Sequence, residues 1–281
     1  FAHDLSASRH SAEQYDFPAI AAGHVKKDTL PSGAKASGQG YIFNLRRPEL
    51  QDVRVRQALS MTVDRRLLTE KVSGQGERPA WSLLPGMPDY QELGSALALE
   101  DMPTRLARAA ALLTEAGYNS AHPLKLTLTY NTSENHKKLA LAVAAMWKPL
   151  GVEITLNNME WNAYQVAKDS GDFMLARSFL FGDYVEPSSM LGSFRCQEPQ
   201  NESGYCNPAF DGLLQQAADT LDGSARTGLY RKAEQLLMEE MPVIPVYHYN
   251  QMRLVDPALR GLPSSNLKGA IATKDLSFSQ P

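Results

Sequence analysis

A strand–helix–strand pattern in the middle of the chain constrains the fold most strongly. LKLTLTY, which begins at Leu124, alternates apolar and polar residues with the two-residue period of a half-buried strand. Apolar residues then recur at three- and four-residue steps from Leu139 to Leu150, as on one face of a helix. Gly151 ends this helix before the second strand, VEITL. The pattern predicts an α/β fold with a mostly parallel or mixed sheet and helices on its faces.

Capping and turn residues mark further elements on both sides of this unit. Asp52 and Asp64 stand as N-caps before two consecutive helices, and Asn207 followed by proline marks another helix start. Gly117 ends a helix that begins near residue 103. The other predicted elements are an irregular surface segment over residues 1–40 with a short helix at 11–22, strands at YIFNL (from 41), FMLAR (173–177) and VIPVYHY (243–249), a loop at 79–92 and a helix at 225–239.

Composition and charge exclude several classes of partner. The 281 residues are 43% hydrophobic and 21% charged, which is typical of one large or two smaller globular units with an apolar core. The net charge is −3 and the basic residues are scattered, which argues against a nucleic acid or an anionic membrane surface as partner. No apolar run approaches the roughly 20 residues of a membrane-spanning helix. No signal peptide is visible after Phe1, which suggests a processed chain or a fragment.

The two cysteines, Cys196 and Cys206, lie in a loop-like segment, FRCQEPQNESGYCNPAF. Their spacing favours a disulfide over a zinc site, because zinc needs two further ligands and no histidine is nearby. A disulfide would place the chain in an oxidising compartment. Two independent buried thiols remain the alternative.

Motifs for catalysis or cofactor binding are nearly absent. The six histidines are dispersed, and the sequence contains no metalloprotease motif, nucleophile elbow, Walker loop or dinucleotide fingerprint. The SxxK motif from Ser32 to Lys35, with a possible SxN element at Ser133, suggests a serine hydrolase, but the third element, KTG, is missing. Ser32 also lies between proline and glycine, in a loop that would not hold its hydroxyl near a base. We therefore expect no enzyme, no metal and no cofactor.

The segment FNLRRPELQDVRVRQALSMTVDRRLL resembles a distinctive segment of the family 5 solute-binding proteins, the periplasmic receptors for dipeptides, oligopeptides and murein tripeptides. The likeness runs from Tyr41 to Val255 and is nearest to the oligopeptide-binding branch. It implies an α/β fold of the periplasmic binding protein type II kind, with the ligand held between two lobes. The chain would be the C-terminal half of such a receptor: residues 1–40 part of the proximal lobe, 41–247 the distal lobe, and 248–281 the return to the proximal lobe.

The resemblance also implies a function without turnover. The chain would belong to the substrate-binding component of an ABC importer, located in the periplasm or cell envelope, and would bind short peptides in the cleft. Its partners would be the peptide, the membrane permease and the N-terminal half of the same receptor, with no nucleic acid. Two alternatives stay open: a sensory or interaction protein that kept the lobe but lost transport, and a receptor for a non-peptide or modified-peptide cargo.

The candidate ligand-binding residues come from the same resemblance. An aspartate after the FMLAR strand would pair with the α-ammonium group of the peptide, and three cationic positions would meet its carboxylate. One cationic position, Lys168, is arginine in the family pattern, so carboxylate capture there loses the planar fork of arginine. Leu180 stands where the oligopeptide branch commonly has tryptophan. The expected site residues are Asp183 for the ammonium group, Arg177, Lys168 and His136 for the carboxylate, Phe179 and Phe181 for the ligand backbone, and Tyr249 at the hinge.

Structural alternatives stand beside these roles. Arg177 could simply neutralise Asp183 within the fold, and His136 could be a helix-start residue that faces water. Trp147 and Trp161 fall on apolar periods, so both are expected in the core. The Arg54 and Arg56 pair is expected to form salt bridges on the surface of a helix. The cysteine pair resembles the loop disulfide of the dipeptide-binding branch.

Overall fold

A computed structural model describes residues 3–4, 26–30, 37–249, 251–256, 258–262 and 273–279. Within these ranges the predicted α/β architecture is confirmed, because helices pack on both faces of a mixed sheet. The predicted helix at 11–22 and the SxxK motif at 32–35 lie outside the described residues. In the part of the chain that is described, no helix is both long and apolar enough to cross a membrane.

The strands form one large sheet and two small ones. The large sheet has the order β4-β8-β3-β7-β5-β6, the three-stranded sheet has the order β1-β9-β2, and β10 pairs with β11. The strands are β1 (His3–Asp4), β2 (Lys26–Leu30), β3 (Ser37–Phe43), β4 (Arg78–Pro79), β5 (Lys125–Asn131), β6 (Glu153–Met159), β7 (Leu175–Phe181), β8 (Val243–His248), β9 (Gln251–Val255), β10 (Leu259–Arg260) and β11 (Ser277–Phe278).

Helices occupy the connections, and three of them begin at the predicted caps. The side chains of Asp52, Asp64 and Asn207 each accept a hydrogen bond from a backbone N–H in the first turn. Gly117 and Gly151 adopt positive φ angles of 91° and 74°, the left-handed conformation that ends a helix. The α-helices are α1 (Val53–Met61), α2 (Arg65–Leu67, continued by a π-helical turn over Leu68–Ser73), α3 (Met102–Glu115), α4 (Glu134–Trp147), α5 (Trp161–Ser170), α6 (Pro187–Leu191), α7 (Pro208–Ala218) and α8 (Gly223–Glu240).

The central β-α-β unit is confirmed in detail. Strands β5 and β6 pair in parallel over their full lengths, and α4 connects them. Strand β3 is antiparallel to both β7 and β8, so the sheet is mixed. On the side opposite β3, strand β7 pairs with β5 only from Leu175 to Ala176. In the described part of the chain, the remaining length of β7 therefore has no strand on the β5 side.

Alternate residues of the central strands pack into two separate cores. Tyr41 and Leu175 join the core that contains Trp147 and helices α1, α3 and α4. Ile42 and Ala176, one residue on, join the core beneath α5, α7 and α8. The sheet and the helices on its two faces thus form three layers, with the end of β7 at the margin of the middle layer.

The predicted lobe boundaries fall near the change from one sheet to the other. The chain leaves the large sheet at the end of β8 and enters the three-stranded sheet at β9. Strand β3 begins at Ser37 and so crosses the predicted boundary at residue 40. The division into 1–40, 41–247 and 248–281 stays a prediction.

Two expectations about single residues were wrong. Trp161 is the first residue of α5 and is 48% exposed, whereas Tyr164, three residues on, fills the core position. Arg54 does pair with Asp52 on the surface, but Arg56 points the opposite way and is 4% exposed. Its guanidinium group donates hydrogen bonds to backbone carbonyls at the ends of two helical segments instead of to a carboxylate.

Candidate ligand-binding site

The end of β7 carries an aromatic surface. Because side chains alternate along a strand, Arg177, Phe179 and Phe181 lie on one face and Ser178 and Leu180 on the other. The rings of Phe179 and Phe181 stack with their centres 5.7 Å apart and are 47% and 49% exposed. Leu180 is buried in the second core. The predicted backbone-binding residues thus form one apolar, solvent-facing platform.

Arg177 lies at the base of this platform with only neutral partners. It is 7% exposed, and its Nη2 donates a hydrogen bond of 2.8 Å to the hydroxyl of Tyr249. Its Nε donates at 3.4 Å to Oε1 of Gln39, and the guanidinium carbon lies 5.9 Å from the ring centre of Phe179. Among the described residues, no carboxylate lies within ion-pair distance of Arg177. A buried cation without an anion is a costly arrangement that an anionic ligand would relieve.

Other buried arginines differ from Arg177 in how their donors are used. Arg65 is 2% exposed and has no carboxylate partner among the residues that the structure describes, and burial lowers its pKa to about 9. Its Nε and Nη1 groups, however, donate to four backbone carbonyl oxygens, so the fold itself satisfies them. Arg56 is satisfied by carbonyls in the same way. Arg177 instead has side-chain partners and lies against a half-exposed aromatic ring.

Lys168 is already paired within the fold. Its ammonium nitrogen lies 2.8 Å from a carboxylate oxygen of Glu202, and the two side chains are 8% and 22% exposed. Glu202 also accepts a weak hydrogen bond of 3.5 Å from Ser178, whose side chain faces away from Arg177. The structure thus places Lys168 on the other side of β7 from Arg177 and cancels its charge.

Glu202 was not identified from the sequence, although a signal was present. It lies between Cys196 and Cys206, which form the predicted disulfide. The disulfide closes the loop that brings this carboxylate to Lys168 at the end of α5. An acidic residue inside a disulfide-closed loop was therefore a candidate partner for the cationic positions.

His136 lies in the first turn of α4 and is partly buried. Burial, with a further contribution from the positive charge of Arg177, lowers the pKa of His136 to about 4. The ring Nδ1 lies 3.4 Å from the carbonyl oxygen of Asn131 at the end of β5. His136 therefore lies within electrostatic reach of Arg177, and its lowered pKa makes it a neutral hydrogen-bonding group at pH 7.

Asp183 lies two residues beyond the end of β7 and is exposed. Among the described residues it has neither a hydrogen bond nor an ion pair, so Arg177 does not neutralise it. A cavity of about 460 Å³ begins next to it, lined by Tyr184, Glu186 and Arg226 among others. Glu186 and Arg226 pair with each other at 3.2 Å. Among the described residues at this end, the carboxylates of Asp89 in the cavity lining and of Asp183 beside it have no partner.

Tyr249 joins the aromatic platform to the polar cluster. Its ring centre lies 5.4 Å from that of Phe179 and 5.3 Å from that of Tyr247. Its hydroxyl accepts from Arg177 and donates to Gln39, and burial raises its pKa. In the part of the chain that the structure describes, no group of three or more metal-ligating side chains is gathered.

Comparisons with known proteins match this chain to one family. The model for "Bacterial extracellular solute-binding proteins, family 5 Middle" matches residues 9–202. The periplasmic murein peptide-binding protein MppA of Escherichia coli K12 is 45% identical over 231 residues, 80% of this chain and 42% of that protein. The probable deoxycholate-binding periplasmic protein YgiS of the same organism is 37% identical over 247 residues, 86% of this chain and 45% of that protein.

The fold agrees with the sequence match. A solved structure of the Escherichia coli murein tripeptide binding protein MppA superposes with a TM-score of 0.83 at 39% identity. The superposition covers 97% of this chain and 52% of that one. The chain therefore spans about half the length of the relatives that it matches.

Proposed function

Because the chain belongs to the family 5 bacterial extracellular solute-binding proteins, we propose that it forms about half of the substrate-binding component of an ABC importer. Residues 41–247 would supply the distal lobe, and residues 1–40 and 248–281 would complete part of the proximal lobe. The N-terminal half of the same receptor would close the cleft over a short peptide or peptide-like ligand, and a membrane permease would receive it. The family is one of binding proteins, and we expect ligand release without turnover.

The location follows from the family itself. The family is extracellular, and the relatives are named as periplasmic proteins. The chain is thus an extracytoplasmic protein of the periplasm or cell envelope, as the sequence resemblance implies. The disulfide between Cys196 and Cys206 suits this oxidising compartment.

The uncompensated charge of Arg177 carries the peptide proposal. Arg177 is a nearly buried cation with neutral partners, and Asp183 is an anion that has no partner among the described residues. A zwitterionic peptide brings an ammonium group and a carboxylate, so it can supply the missing partner at each position. Charge pairing of this kind favours a ligand with both ends ionised over a neutral one.

The open side of β7 supports binding of the peptide backbone. N–H and C=O groups of alternate residues in a strand point to the same side. The carbonyl of Arg177 accepts a hydrogen bond from Tyr164 on the side away from β3, and Phe179 and Phe181 follow at two-residue steps. Because β5 pairs only as far as Ala176, these two residues can pair with an extended ligand by strand addition.

A second candidate ligand is an amphipathic carboxylate. The half-exposed rings of Phe179 and Phe181 beside Arg177 would suit an apolar body with one anionic group. The relative named as probable deoxycholate-binding makes such a cargo worth testing. This ligand has no ammonium group and would not use Asp183, which separates the two candidates.

The test uses the intact receptor that contains this chain. Native mass spectrometry would measure retention from a pool of dipeptides to pentapeptides, and of deoxycholate, for the wild type and Asp183→Asn. Asp169→Asn is the matched control, because Asp169 is exposed on α5 and has no partner among the described residues. We expect Asp183→Asn to weaken peptide retention by about tenfold or more, equivalent to about 1.4 kcal/mol. Retention of deoxycholate but of no peptide would refute the peptide proposal.

A further inference from the structure

Gln39 lies at the centre of the polar cluster behind the aromatic platform. It is 1% exposed, in the middle of β3, opposite Phe179 in the β3–β7 register. Its Oε1 atom accepts hydrogen bonds from Arg177 Nε at 3.4 Å, from the Tyr247 hydroxyl at 3.0 Å and from the Tyr249 hydroxyl at 3.1 Å. One neutral oxygen therefore serves three donors.

Chemistry fixes the orientation of this amide. A guanidinium group can only donate hydrogen bonds, so the oxygen of Gln39, and not its nitrogen, must face Arg177. Tyr249 closes a ring of hydrogen bonds, because it accepts from Arg177 Nη2 and donates to the same Gln39 oxygen. The amide nitrogen of Gln39 is left without a partner among the described residues. This orientation of the amide places an acceptor at Arg177, although its own buried N–H donors then lack such a partner.

We propose that Gln39 is a positioning residue that sets the ligand charge preference of this site. It holds the guanidinium group of Arg177 through a neutral oxygen, which fixes the geometry and leaves the positive charge uncompensated. A carboxylate at this position would hold Arg177 equally well but would cancel its charge, as Glu202 does for Lys168. This inference rests on the proposed function, since the preference concerns the anionic end of the ligand.

Two substitutions of Gln39 distinguish the effect of its charge from the effect of its hydrogen bond to Arg177. Gln39→Glu keeps the shape and the acceptor atoms of the side chain. The new carboxylate would stay ionised, because Arg177 and two tyrosine hydroxyls would stabilise its charge. Gln39→Leu removes the acceptor altogether, so that Tyr249 is the one hydrogen-bond partner of the Arg177 guanidinium left among the described residues. A purely structural role predicts that the first variant resembles the wild type and that only the second is impaired.

The experiment compares a ligand with and without its carboxylate. Calorimetry on the intact receptor would measure the Kd of trialanine and of trialanine amide for the wild type, Gln39→Glu and Gln39→Leu. Gln91→Glu is the control, because it adds the same charge at an exposed position. We expect the wild type and the control to prefer the free carboxylate by tenfold or more. In Gln39→Glu this ratio should fall to about 1, through weaker binding of the free acid.

Each other outcome has a defined meaning. An unchanged acid-to-amide ratio in Gln39→Glu would overturn the inference about charge preference. If the wild type binds neither ligand, the peptide proposal fails for these probes, and crystal structures of the wild type and Gln39→Leu decide the role of Gln39 alone. An Arg177 guanidinium displaced in the variant would support positioning, and an unmoved one would refute it. The same structures settle the matter if Gln39→Glu does not fold.

Discussion

A buried carboxyl group on α8 gives a pH dependence of stability that can be worked from the structure. Glu234 is 0% exposed, and its carboxyl oxygens accept hydrogen bonds from the backbone N–H of Leu84 and from the hydroxyl of Tyr90. Burial raises the pKa of Glu234 from 4.5 to about 7, although these hydrogen bonds oppose the shift. The side chain attaches the loop after β4 to α8, so its ionisation acts on the folded state.

The direction and the size of this pH dependence of stability follow from proton linkage. Between pH 4.5 and 7 the folded state keeps a proton on Glu234 that the unfolded state has lost. The stabilisation is therefore fully present below the unfolded pKa and is lost as the pH rises through the folded pKa. A shift of this size corresponds to about 3 kcal/mol of stability lost between pH 4.5 and pH 8.

The assay is urea unfolding of the wild type and Glu234→Gln at several pH values. The neutral amide cannot ionise, so the stability of the wild type relative to the variant should fall by about 3 kcal/mol from pH 4.5 to 8. Taking the difference removes His248, whose buried ring has a lowered pKa and titrates in both proteins. Glu239→Gln, at an exposed position on the same helix, is the matched control. A pH-independent difference between wild type and Glu234→Gln would refute the reasoning.

Three further changes test other parts of the structure. Glu202→Gln leaves Lys168 without its anion and should destabilise the chain by about 2–4 kcal/mol in urea unfolding. A double variant that also carries Lys168→Met should recover part of this lost stability. Fully additive effects of the two substitutions would contradict the ion pair. Cys206→Ser opens the loop and should lower stability by about 2–3 kcal/mol, an effect that reductant should reproduce in the wild type. In Gly40→Ala the new methyl group would lie 2.5 Å from a backbone carbonyl oxygen of β8. We therefore expect thermal unfolding to show a loss of about 1–3 kcal/mol of stability. An unchanged Tm would contradict the close approach of β3 and β8.

Local rules predicted the elements of the fold well, because the deciding contacts are near in sequence. The caps at Asp52, Asp64 and Asn207 act over three residues, and each is confirmed. The same rules failed where orientation mattered. Residues two apart on a helix do not face the same way, so Arg56 was buried while Arg54 reached the surface.

At the end of β7, local sequence rules do not predict which side chains are exposed. Five of the seven residues in LARSFLF are apolar, and the segment alone does not show which of them are covered. Phe179 and Phe181 lie on the same face of β7 as Leu175, which is buried in the first core, yet their exposed fractions are 47% and 49%. Gln39 is a similar case, since it meets Arg177 from 138 residues away. The sequence signal for Gln39 was a polar residue two positions before Tyr41, on the same strand face.

The charge of the site is the property that depends most on these distant contacts. The sequence resemblance offers three cationic positions for a ligand carboxylate. In the structure, Glu202 pairs with Lys168, and burial keeps His136 neutral at pH 7. Of the three, Arg177 is thus the cation that no described carboxylate compensates. Gln39 holds Arg177 without a charge of its own. We therefore expect the proposed site to favour a ligand with a single carboxylate at this end, because a second carboxylate would have no available cation among these residues and would have to displace Glu202 from Lys168.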